Sequence, residues 1–373
     1  MKIYRRTIIR IIILWALLLC VACASLPPAT VEVLPEFNAL FERQEGWTGA
    51  DGAYTVGLSG KEILWLFGDT WYGEVRQDRH EDARIINNSI AIQGGIAPPH
   101  VTVDFYSGES SGGKPLAFFR PSDGRGWFWF YHGIKVSRTL YLFLLQIERT
   151  EDPNSFGFII SGTRLATVAN PGEPPNSWRA AQLRIPWQRL SPEGDTIFGS
   201  AVLRENGFIY IYGTTEDITG GFREKYMILA RVPAAKLEQF NKWQFFSSGR
   251  WTEDFNSLSR LAGDFANEYS VSYLTSLGKY IAVYTANGVS KDIVARFAPH
   301  PWGPWSEPEI LYECPEQSWG ADVFCYAAKG HPELSAAPDE IIVTYIASSR
   351  DFDKIVDNAR LYRPRFLRVK FRE

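Results

Sequence analysis

What most constrains this chain is a repeat. Five apolar, aromatic-rich runs of strand length recur along it, at 63–67 (ILWLF), 140–145 (LYLFLL), 208–212 (FIYIY), 280–284 (YIAVY) and 341–346 (IIVTYI). About ten residues before each run sits a short segment of small and polar residues: GADGAYTVGL, YHGIKVS, FGSAVLREN, NEYSVSYLT and KGHPELS. A turn-rich stretch joins each pair, such as Ser59-Gly60-Lys61, Glu205-Asn206-Gly207 or Ala337-Pro338-Asp339. Each pair therefore reads as a β-hairpin. The hairpins start 61 to 77 residues apart, which leaves room for two further strands and a long loop in each unit.

That spacing predicts an all-β, five-bladed β-propeller. A lone four-stranded sheet cannot bury both of its faces, whereas blades set radially cover one another. The small residues Gly49, Ala50, Gly133, Gly199, Ser200, Ala201 and Gly330 suit inner strands crowded around an axis. With 31 Gly and 22 Pro punctuating short runs, helical periodicity is scarce after residue 30, apart from a short turn near 234–240. A two-sheet sandwich is the alternative architecture, and it would not produce a fivefold echo.

The first residues read as a targeting segment. Lys2, Arg5, Arg6 and Arg10 precede an apolar run at 11–22 that is too short to span a bilayer. Val21, Ala22 and Cys23 resemble the end of a bacterial lipobox, with Cys23 the lipidated residue, although Cys20 stands where that motif usually has Leu. The expected organisation is a lipoprotein signal over 1–23, a tether over 24–39 carrying Pro27, Pro28 and Pro35, and a propeller domain over 40–373. The expected location is the bacterial cell envelope or its outer face, on a lipid anchor in the membrane.

Formal charge is -3, and becomes -7 without the first 22 residues. No Lys/Arg cluster interleaves with aromatics, so nucleic acid is not an expected partner. A monomer is expected. Beyond Cys23 the mature chain holds Cys314 and Cys325, and a secreted context makes a disulfide closing a small loop their default reading. Neither lies in a CxxC pair, and no pair of histidines completes a zinc set, so these two are not read as metal ligands. No cofactor is expected, although the Asp and Asn residues leave a structural cation in the channel open. The chain has no phosphate-binding loop, dinucleotide fingerprint, GxSxG elbow or HExxH pair.

If the first strand of each hairpin is the inner one, the residues at its start converge at one mouth of the channel. Those residues are Asp51, His132, Ser200, Glu268, and the pair His331 and Glu333. Glycoside hydrolysis needs two carboxyl groups flanking the scissile bond, and Asp51 with Glu268 or Glu333 supplies them. Asp51 suits base or nucleophile, and either glutamate suits the acid. Each has a plainer reading: Asp51-Gly52 is a common turn dipeptide, Glu268 a solvated strand start, and His331 a brace beside Pro332. His132 follows a dense aromatic run and reads equally as a core histidine. Asp69, in FGDTW, and Asn87 fit either a capping role or sugar contacts. Among 13 Trp, Trp47, Trp71 and Trp319 flank the candidate residues and are the expected stacking platforms for sugar rings.

GWTGADGAYTVGL followed by ILWLFGDTW, with NEYSVSY and AAKGHPEL, resembles a family of bacterial secreted five-bladed propellers long labelled a domain of unknown function. Some members of that family are endo-acting D-arabinanases. The resemblance covers roughly residues 40 to 370. It implies a propeller acting on polysaccharide, with Asp51 and Glu268 or Glu333 as its carboxylates. In the broader five-bladed glycosidases the third blade often carries the general acid, whereas Phe198-Gly199-Ser200 offers none here, so the acid's identity stays open. The two competing expectations are a glycan-binding lipoprotein without catalysis and a protein-interaction scaffold.

Overall fold

The computed structural model describes residues 29–151 and 157–372. The expected signal segment over 1–23, with Cys23, lies outside the described residues. Among those described, no helix is long and apolar enough to cross a membrane.

The five hairpins become the inner halves of five antiparallel sheets. The first blade runs Tyr54–Ser59, Glu62–Phe67, Ser89–Gly94 and Thr102–Tyr106; the second runs Trp127–Val136, Thr139–Arg149, Phe158–Val168 and Ala180–Arg184. The third comprises Thr196–Glu205, Phe208–Asp217, Glu224–Pro233 and Gln244–Ser247, with Arg250–Thr252 added outside. The fourth comprises Tyr269–Leu274, Lys279–Thr285, Asp292–Ala298 and Glu309–Glu313. In each of these the strand order follows the chain outwards, so the first strand of every hairpin is the inner one.

The fifth blade is assembled from both ends of the chain. Val323–His331, Glu340–Ser349 and Pro364–Phe371 are followed outwards by Ala29–Val33, which pairs antiparallel with Pro364–Phe371 from Ala29 opposite Phe371 to Val33 opposite Leu367. The helix Pro35–Phe41 then packs Phe37 and Phe41 against Phe366, with Phe41 also meeting Trp47 and Trp65. The expected tether over 24–39 is therefore corrected, because residues 29–39 are part of the propeller and close its ring. A five-residue strand whose partner lies more than 300 residues away leaves no local signature.

Neighbouring blades are joined near the axis by hydrogen bonds that complete a circle. His132 Nε2 meets the Thr55 carbonyl at 3.0 Å, and the Val202 amide donates to His132 Nδ1 at 2.9 Å, linking blades one, two and three. The Tyr269 hydroxyl donates to the Gly213 carbonyl at 2.8 Å, and the Gly330 amide donates to Ser270 Oγ at 2.7 Å, linking three, four and five. The Thr55 hydroxyl and His331 Nδ1, 2.8 Å apart, close five onto one. The inner strands thus form a closed five-membered ring, and the fold is a five-bladed β-propeller. The inner-strand tyrosines Tyr54, Tyr131 and Tyr269 are buried, Tyr54 and Tyr131 meeting edge-on at 6.3 Å.

On the face where the inner strands begin, a three-stranded sheet of Glu45–Ala50, Thr70–Arg76 and Arg79–Ile86 rises above the first blade. Cys314 and Cys325 are joined by a disulfide at the entry to the fifth blade.

Candidate active site

Two β ladders meet end to end above the first blade. Tyr54–Ser59 pairs with Glu62–Phe67 below, Glu45–Ala50 pairs with Thr70–Arg76 above, and the break between them holds Asp51 on one side and Asp69 on the other. The break is fixed by backbone bonds, from the Asp51 amide to the Asp69 carbonyl at 3.2 Å and from the Gly68 amide to the Asp51 carbonyl at 3.1 Å. Gly52 and Ala53 both take positive φ, 78° and 57°, which turns the chain sharply into the channel. A buried alanine in that conformation is a strained position of the kind found at functional sites. Gly68 is required here for another reason: a Cβ at that position would run into Asp51 Oδ1.

Asp51 Oδ2 accepts hydrogen bonds from Tyr326 at 2.9 Å and Tyr362 at 2.8 Å. Burial pushes its carboxyl up to about 8, helped by the Asp69 and Glu268 charges, while the tyrosine hydroxyls pull it back. Asp69 Oδ1 accepts from Trp129 Nε1 at 2.9 Å and Asn87 Nδ2 at 3.3 Å, and burial outweighs these donors to raise it to about 6.

Glu268 immediately precedes the inner strand of the fourth blade, and its Oε1 meets Lys329 Nζ at 3.0 Å. The Lys329 side chain is only 1% exposed; its ammonium also donates to the Ala327 carbonyl at 2.8 Å and lies 4.3 Å from the Tyr54 ring centre. A β-bulge between Tyr326 and Lys329, with Ala327 at φ 57°, lets one strand supply both a donor to Asp51 and a cation to Glu268. Three carboxyl groups, one ammonium and two phenols thus converge on this mouth.

The structure brings Asp51, Glu268, Asp69 and Asn87 together. Glu333 is placed elsewhere. The fifth inner strand is Val323–His331, so KGHPEL lies at its end and not at its start. Glu333 lies beside the Thr55–Gly57 stretch, where the Thr55 hydroxyl donates to its Oε2 at 3.0 Å, and none of its hydrogen bonds among the described residues goes to Asp51, Asp69, Glu268 or Lys329. His331 and His132 are corrected likewise: both link blades, His331 buried and His132 half-buried, and desolvation lowers both, His132 to about 4.

Trp47 is 1% exposed, enclosed by Phe41, Phe67 and Phe105, and Trp71 is 4% exposed, stacked on His80 at 4.5 Å. Neither presents a face to a sugar. Trp319 is exposed, but Arg360 and Arg365 lie over its ring.

Reading the sequence by inner-strand starts missed Tyr326, Lys329, Tyr362 and Trp129, which reach the mouth through a bulge, a loop and a neighbouring blade. It also missed third-blade carboxyl groups. Asp195 precedes that blade's inner strand and Glu216 lies on the adjacent one, where Arg223 holds it at 2.7 Å.

Asn88 beside the site is a buried staple. Its Nδ2 donates to the Phe119 and Phe128 carbonyls at 2.9 and 2.8 Å, and its Oδ1 accepts from the Phe119 amide at 2.8 Å. Asn88→Ala is expected to cost about 3 kcal/mol, since it strands three buried backbone groups. Urea unfolding at unchanged m-value checks this, and a loss under about 1 kcal/mol contradicts it.

The class that the fold and the site define is a five-bladed β-propeller with a cluster of acids in one mouth. The particular family follows from the sequence match: residues 35–371 match the family described as Domain of unknown function (DUF5005), and the chain belongs to it. No curated protein matches. Among solved structures, a Bacteroides ovatus ATCC 8483 protein provisionally called a hydrolase is 20% identical, with 91% of this chain and 90% of that one covered at a TM-score of 0.71. A thermostable family-43 glycoside hydrolase is 14% identical over 86% and 88% of the two chains at 0.46. The catalytic domain of a Coprinopsis cinerea GH62 α-L-arabinofuranosidase is 11% identical over 88% and 92%, also at 0.46.

Proposed function

We propose that this protein is a glycoside hydrolase, with Asp51 as general acid and Glu268 as base or nucleophile. The observation that carries this is the divergence of environment between two carboxyl groups in one mouth. Asp51 is half-buried among acids and held near its protonated form at neutral pH, whereas Glu268 faces an ammonium 3.0 Å away. A protonated carboxyl can give its proton to the leaving oxygen, and a charge-balanced carboxylate can activate water or attack the sugar. The roles are thus the reverse of the sequence expectation. Asp69 supports the acid through its charge. An arabinofuranose-containing polysaccharide is the proposed substrate, on the family resemblance.

Reducing-end release from arabinans, arabinogalactans and xylans tests the reading. Release from a member of the panel supports it, and silence across the panel with glycan binding retained means a binding protein instead. For an active glycan, kcat/KM is expected to fall above about pH 8, as Asp51 loses its proton. Asp69→Asn removes a charge that raises Asp51, so its alkaline limb should move to lower pH. Tyr362→Phe removes a donor that favours the carboxylate, so its limb should move to higher pH. Shifts of the same sign in both variants would remove Asp51 from the acid's role.

A further inference from the structure

A cleft of about 980 Å³ opens beside the carboxyl cluster, between the first blade's outgoing loop and the outer part of the second blade. We propose that this cleft binds the continuing chain of a polymeric glycan whose scissile bond lies at Asp51 and Glu268; the proposal rests on the glycosidase reading and gives it a substrate class, polysaccharide as opposed to short glycosides.

Continuity comes first. Asn87 lines the cleft while its Nδ2 binds Asp69, and Trp127, also lining it, stands edge-on to Trp129 at 6.2 Å, whose Nε1 binds the same Asp69 oxygen. Two cleft residues therefore connect to the cluster, each through a single contact or one intervening ring. The chemistry of the walls comes second. Trp127, Trp178 and Phe118 are half-buried aromatics, Asn87 and Gln182 carry side-chain amides, and Arg120 is an exposed guanidinium. Aromatic faces match the CH-rich faces of sugars, and amides match their hydroxyls.

The walls are also held in place. Asn88 pins Phe119, the Trp178 indole donates to the Glu173 carbonyl at 3.0 Å, and Phe118 packs edge-on to Trp178 at 5.9 Å. Gln182 accepts from the Ser122 amide and donates to the Arg120 carbonyl, both at 2.9 Å, which fastens the loop across the cleft. A preformed wall binds without an ordering cost.

The test compares wild type with Trp178→Ala and with Ala180→Trp, which fills the cleft from an exposed strand position without deleting packing. Binding to oligosaccharide ladders of arabinan, arabinogalactan and xylan is measured by calorimetry, and kcat/KM is measured on the polymer and on an aryl glycoside that reaches only the carboxyl cluster. In wild type, affinity should rise with oligosaccharide length. Both variants should lose about tenfold on long oligosaccharides and polymer while staying within about twofold on the aryl glycoside, because remote binding is what they remove. Equal losses on short and long substrates, or no loss on either, overturn the cleft while leaving hydrolysis standing. If no glycan is cleaved, the ladder alone decides: length-dependent binding that both variants abolish supports the cleft, and length-independent binding or none overturns it.

Discussion

Asp51→Asn is expected to lower kcat on an active polysaccharide by about 10²- to 10⁴-fold, the range a positioned general acid supplies. The fold should survive, because an asparagine carbonyl can still accept from Tyr326 and Tyr362, and a neutral amide replaces a carboxyl that already holds its proton at neutral pH. Stability carries a signature of its own. The folded Asp51 holds its proton up to about 8, against 3.8 in an unfolded chain, so the folded state binds more protons in that window and wild-type stability falls as pH rises through it. The Asn variant should lack this fall.

The role itself is tested by the leaving group. An aryl glycoside with an acidic phenol departs without protonation, so Asp51→Asn should recover most of its rate on that substrate, and Glu268→Gln should not. Recovery in Glu268→Gln alone would exchange the two roles. Glu333→Gln, whose carboxyl is bonded to Thr55 and not to the cluster, should stay within about twofold of wild type on both substrates.

Glu268→Gln should also destabilise the fold by about 3 kcal/mol, the lower end of what breaking a buried ion pair from one side costs, since the Glu268 side chain keeps 26% of its exposure. The cost falls on Lys329, whose ammonium would remain with only the Ala327 carbonyl and the Tyr54 face. Lys329→Met places an apolar stem of similar size in the same channel and leaves Glu268 access to water, so it should cost much less. The double variant should return close to Lys329→Met, a coupling that a thermodynamic cycle measures directly. Burial depresses the Lys329 ammonium, so in Glu268→Gln the penalty should shrink as pH rises and the amine loses its proton. A penalty independent of pH, or equal costs for the two single variants, would show that the pair is not what holds this mouth together.

The parts of the fold that local pattern could reveal were legible. Each hairpin announces itself within about twenty residues, by an apolar run and the turn before it, and five such signals at near-equal intervals define the blades. Asp51 and Glu268 were legible for the same reason, because each stands just ahead of an inner strand. The Trp47 and Trp71 assignments went astray because a tryptophan beside a site residue in sequence looks the same whether it faces solvent or, as here, Phe41 and Phe105 or His80. Glu333 went astray because the fifth inner strand begins at Val323, before the point where its pattern resembles the others, and passes through a bulge.

The sequence by itself determined the number of blades and placed Asp51, with Glu268 and Glu333 as alternatives beside it, near hairpin starts, since these depend on alternation and turn chemistry over short spans. Only the tertiary structure decided that residues 29–33 complete the fifth blade, that a bulge delivers Tyr326 and Lys329 to opposite carboxyl groups, and that Asp69 faces Asp51. It also decided that the Asp51 carboxyl is held above the usual carboxylate range. A proton's affinity is set by burial and by charges brought near through folding, from residues that are as far apart as 51 and 362 along the chain.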